Sequence, residues 1–270
     1  MKNLKHVTTL FTALMLASAV PTAAAAASVE ITASMKSSID KMITSADRTQ
    51  AGKINSLYNE LLTLQKQEQD WDVKINAQHT ANAETLVVLN KQIKAVDGAK
   101  LDKLEADVAQ TRGRHKLLLD RYSSLNKQID AAKLLKDKDL NSALRFQATL
   151  MRIPVQLARM DIKNKEKALQ TAKEQASKTI KKIRATLADN DQVKTQIKAK
   201  KSAIKTIDTS VNPVWSAFKQ AVKKEEPTSV LSSLSPLVSL IRQLSDEKQN
   251  MYKLETKIND TLAAVKAQLP

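Results

Sequence analysis

LQTAKEQASKTIKKIRATLADNDQVKTQIKAKKSAIKTID, residues 169–208, has neither glycine nor proline and returns to a seam position every three or four residues. Leu169, Ala172, Ala176, Thr179, Ile183 and Leu187 set the beat, and Asn190, Val193, Ile197, Lys200, Ile204 and Ile207 continue it. Such a period places one stripe of a helix against neighbouring helices along its whole length. The stretch extends back to Leu140 with one proline, Pro154, near its start. At ~1.5 Å per residue, a helix from 140 to 208 would run roughly 100 Å. It is also strongly basic, with 17 Lys+Arg against 8 Asp+Glu between Asp137 and Asp208.

The rest of the chain agrees with a fold made of long helices. Its 270 residues contain only 3 Gly and 6 Pro, and aromatics make up 3%. Few breakers predict long helices, and a core of Leu, Ile, Val and Ala suits coiled-coil-like bundles better than an α/β enzyme. The expected fold is all-α: elongated antiparallel helical bundles of three-helix cross-section, with coiled-coil-like packing, sharing one very long helix. There is no cysteine, which excludes disulfides and thiolate metal sites.

Residues 1–27 read as a secretory signal peptide. Lys2 and Lys5 precede an apolar run, Val7 to Val20, and Ala25-Ala26-Ala27 offers a small-residue cleavage site. Cleavage would leave a secreted, extracytoplasmic chain in which nucleic acid is not an expected partner. The formal net charge is +16, and +14 without Lys2 and Lys5. That excess predicts affinity for polyanions. The best remaining candidate for a membrane span, residues 227–241, has fifteen uncharged residues but includes Pro236 and five serines.

Helices are expected near 29–96, 100–136, 140–209, 213–223 and 228–268. The first has a soft start with a possible kink at Gly52, then a sharp seam from Ile54 through Leu61, Trp71, Ile75 and Leu89 to Val96. Glu68, Gln78 and Asn82 occupy seam positions and read as residues that set register. Asp97-Gly98 should end this helix, with glycine taking the left-handed residue. Asp139 should cap the long helix, Pro154 should bend it, and Asn212-Pro213 should start a separate short one. These expectations divide the chain at 28–136 (a long helix and its return, completed by the start of the next helix), 137–210 (the basic connecting helix) and 211–270 (a second bundle with the end of that helix).

Lys94–Val108 (KAVDGAKLDKLEADV), Leu134–Leu144 (LLKDKDLNSAL) and Arg152-Ile153-Pro154 resemble the all-helical N-terminal part of SbsC-type S-layer proteins. The resemblance implies short helix bundles joined by helices that continue from one to the next. It also implies a basic surface that binds an anionic cell-wall polymer.

No nucleophile motif, glycine-rich phosphate loop or metal-ligand spacing is present. His79 has no second ligand in zincin spacing, and His115 falls on the seam of the second helix as a hydrogen-bonded core residue would. The chain is therefore expected to be non-enzymatic, with no catalytic or metal residues and no cofactor. Its candidate polyanion site lies on the long helix. Lys194, Lys198, Lys201 and Lys205 form a stripe at i, i+4, i+7 and i+11, and Lys178, Lys181, Lys182 and Arg184 form a second patch. The alternative is a peripheral or pore-forming helical protein acting on anionic membranes, which would expose large apolar residues beside its cations.

Overall fold

The computed structural model describes residues 29–270, in which all regular structure is helical. Five α-helices follow one another: α1 (Ala33–Ser45), α2 (Arg48–Lys94), α3 (Gly98–Leu134), α4 (Lys138–Lys224) and α5 (Pro227–Lys266). They pack side by side as an all-α bundle. The signal-peptide reading of residues 1–27 lies outside the described residues.

The predicted first helix is in fact two. Ala46 is extended (ψ 162°), and Asp47 Oδ1 then accepts the backbone N–H groups of Thr49 and Gln50, both at 2.9 Å. That cap satisfies two otherwise orphaned donors and restarts the chain as α2. Gly52 lies inside α2 and is not the break. The amide of Gln65 donates to the carbonyl of Val29, so the chain entering α1 lies beside about the fifth turn of α2 and α1 runs back along it.

Each remaining reversal uses one left-handed residue that is not glycine: Asp97 (φ 56°), Lys136 (φ 58°) and Glu225 (φ 55°). Gly98 instead begins α3, contrary to expectation. At the second reversal the Asp137 N–H reaches the Ala132 carbonyl at 3.1 Å and the Lys136 N–H reaches Lys133 at 3.2 Å, which closes the end of α3. Asp137, not Asp139, caps α4, accepting the Leu140 N–H at 3.0 Å.

The largest correction concerns α4. It is 87 residues long and passes through both Pro154 and Pro213, so the short helix expected at 213–223 is its last three turns. Each proline removes one i→i−4 bond. Both rings are on exposed positions, as are Leu150 and Thr209, whose carbonyls lose a donor, so water can replace it. On the other side Val211, Trp215 and Phe218 are buried and hold the helix in place. The burial of that face outweighs one missing bond on the wet side.

The chain divides into two compact units, residues up to Val87 with Asp189–Leu262, and Val88–Ala188 with Ala263–Pro270. In the first, one continuous core joins Ile39 and Met42 of α1 to Ile54 and Leu61 of α2, Phe218 of α4, and Leu234 and Ile241 of α5. Its cross-section thus has four helices where α1 is present. The partners of α2 here are α5 and the end of α4, not the return helix α3 that the sequence reading assigned to it. In the second unit α3 and the first part of α4 form an antiparallel hairpin. Four side-chain pairs bridge it: Lys173–Glu105 (2.7 Å), Arg112–Glu166 (2.5 Å), Lys165–Asp107 (3.8 Å) and His115–Asp161 (2.9 Å). Only residues 88–94 of α2 and the last turn of α5 join this unit, so among the described residues the far part of the hairpin consists of two helices alone.

Candidate functional site

The eight basic residues singled out from the sequence all lie on α4, and they fall into two groups in different units. In the first unit Lys198, Lys201 and Lys205 are exposed, and none makes an ion pair among the described residues. Lys194 is half-buried and pairs with Asp191 at 3.2 Å. The stripe therefore presents three unpaired ammonium groups and one partly neutralised. It runs next to the buried seam of Val193 and Ile197, which anchors its backbone. Lys200, a seam position by spacing, reaches Glu247 on α5 at 2.8 Å and adds nothing to the stripe.

In the second unit Lys178, Lys181, Lys182 and Arg184 are exposed. Lys182 and Arg184 flank the buried Ile183, while Lys178 and Lys181 sit on the side away from it. This is a wide basic surface, not a stripe.

The interior of the first unit holds two polar layers. In one, Lys248 Nζ lies 2.7 Å from Glu68 Oε1 and 2.8 Å from Asp72 Oδ2. Burial works against the Lys248 charge, but Glu68 and Asp72 outweigh it, so its pKa is raised. Asp208 of α4 faces the same cluster, and its pKa is raised as well, chiefly by burial and against the pull of Lys248. In the other layer Glu255 is almost fully buried; its carboxylate is 2.8 Å from His79 Nδ1 and accepts from Asn82 Nδ2 at 2.9 Å. Gln78 in turn donates to Asn82 Oδ1 at 3.1 Å. These groups are committed to one another across α2 and α5, which fixes register. Among the described residues no group of three histidines or carboxylates is placed to hold a metal ion. No helix among them is long and apolar enough to cross a membrane.

One surface escaped the sequence reading. Phe146, Leu150, Ile153, Leu157 and Met160 of α4 are all more than half exposed. Their 4-3-4-3 spacing is a second seam, offset from the one through Leu144, Met151 and Val155 that packs on α3. The spacing is present in the sequence, but the seam read for this helix begins only at Leu169.

No protein-family model matches the chain, and no curated protein or solved structure matches it.

Proposed function

We propose that this is an exported, non-catalytic helical protein that holds an acidic cell-wall polymer on the lysine face of α4. The carrying observation is that Lys198, Lys201 and Lys205 are exposed on one face and make no ion pair among the described residues, beside the buried Val193 and Ile197. With Lys194 they place four cations over eleven residues, about 16 Å at the α-helical rise. That distance is comparable to two Debye lengths of ~8 Å at physiological salt, so a small anion feels one or two of them and a polymer all four. The resemblance of residues 94–154 to wall-binding S-layer regions agrees with this reading, as does the signal-like start of the chain. The experiment is retention on purified cell walls over a salt series, with monomeric phosphate as competitor. Steep salt dependence and poor competition by phosphate are expected; salt-insensitive retention would exclude the polymer mechanism. A membrane reading draws support from a different place, the exposed apolar face of α4 between Phe146 and Met160.

A further inference from the structure

We infer that the α3–α4 hairpin docks on anionic lipid bilayers through the second apolar seam of α4, a property separate from the polymer binding proposed above. Between residues 144 and 160 α4 is apolar on two opposite faces. Val155 and Ala158 are buried on the side of α3, whereas Phe146, Leu150, Ile153, Leu157 and Met160, on the opposite face, stay more than half exposed among the described residues. A helix with two apolar faces is built for a partner on both sides. The uncovered strip runs about 21 Å along the helix at the α-helical rise, the scale of an interfacial helix face.

Charge identifies the occupant. No acid occurs from Leu140 through Met160, and the cations there are Arg145, Arg152 and Arg159, seven residues apart along one edge of the strip. Arg145 donates to Asn141 Oδ1 at 2.7 Å, and Arg159 lies 5.9 Å from the Tyr122 ring, but none of the three has a carboxylate partner among the described residues. A second copy on this strip would bring six arginines together with no acid between them. The amino-terminal residues 1–28 carry Lys2 and Lys5 and no acid, so they offer no complementary charge either. The occupant must be apolar and anionic. Leu134 and Leu135 add exposed apolar surface at the turn that ends the hairpin, beside Lys133, Lys136 and Lys138. A partner helix lying in the seam would leave that turn uncovered, whereas the interface of an anionic bilayer accepts both, with arginine heads at the level of the phosphates.

The test uses residues 29–270 and vesicles of phosphatidylcholine with or without phosphatidylglycerol. The parent should partition onto the phosphatidylglycerol vesicles. The variant F146Q/L150Q/L157Q keeps the net charge and changes only exposed positions, so its circular dichroism should be unchanged. Its partitioning should fall on the order of tenfold or more, because apolar insertion and not charge alone holds the helix. The chain has no cysteine, so a dye on Leu150→Cys reports the strip alone, and its emission should shift to the blue on binding. Absence of partitioning, equal partitioning by the variant, or an unshifted dye would each overturn the inference. Loss of self-association in the variant without any lipid binding would overturn it too and assign the strip to a second copy. Binding only to acidic amphipathic helices would do the same in favour of a protein.

Discussion

Lys248 on α5 meets Glu68 on α2 at 2.7 Å with only 8% of its side chain exposed. Lysine at this depth keeps its charge because carboxylates from α2 surround it, and it ties two helices at a fixed register. Removing one partner of such a buried pair leaves the other charge uncompensated. Lys248→Met should cost about 3 kcal/mol, the low end of the range for buried pairs, since Asp72 is half exposed and can rehydrate. Urea denaturation of the parent and the variant measures it.

The same cluster sets a pH dependence. Lys248 has a raised folded pKa, so its contribution is complete below the unfolded value near ~10.5 and is lost as pH rises through the folded value. Asp208 also has a raised pKa, and for a carboxyl this means the fold prefers the neutral form. Its contribution is present below roughly pH 3.9 and lost as pH rises through the folded value, so at neutral pH its charge is a burden. Asp208→Asn should therefore stabilise the protein at pH 7, with a gain that shrinks as pH falls. Thermal melts of both proteins from acid to neutral pH would show the convergence.

The two histidines should differ. His79 is hydrogen-bonded to the nearly buried Glu255, whereas His115 joins Asp161 in a partly exposed pair on the hairpin. His79→Gln should cost more stability than His115→Gln, by about 1 kcal/mol, because an unsatisfied buried carboxylate is the more expensive loss. Guanidinium midpoints of the two single variants decide the order. Asp161 has a lowered pKa, first through its bond to His115, so its stabilisation is present above the unfolded value and lost as pH falls through the folded one.

Asn190 occupies the seam of α4 and is buried, yet its amide oxygen has no protein partner among the described residues. Asn190→Leu should raise stability by about 1 kcal/mol through apolar burial and removal of an unsatisfied acceptor. A rise in melting temperature with unchanged helix content is the expected result.

Much of this architecture was legible in the sequence because 3.6-residue periodicity is a strong signal over long helices. The seam residues Ile54, Leu61, Val193 and Ile197 are all buried as their spacing requires. Local signals decide less where two compete. Asp47 and Gln50 stand at capping-box spacing, but Gly52 drew the expected kink. Pro213 after Asn212 has the form of a helix start, yet the burial of Val211 and Trp215 on one continuous face overrides it. Which helices pair cannot be read from periodicity, since every seam looks alike; the pairing of α2 with α5 rests on partners such as Glu68–Lys248 that lie 180 residues apart. For the candidate site, the lysine row was visible as a row. Its exposure, and the neutralisation of Lys194 by Asp191, belong to the folded helix.

The most direct test of polymer binding is retention of a K194Q/K198Q/K201Q/K205Q variant on purified walls at moderate ionic strength. Glutamine is nearly as good a helix former as lysine, so circular dichroism should not change. The account predicts that the variant elutes at clearly lower salt than the parent. Elution of both at the same salt would show that the lysine face of α4 is only a solvated surface and would contradict the proposed function.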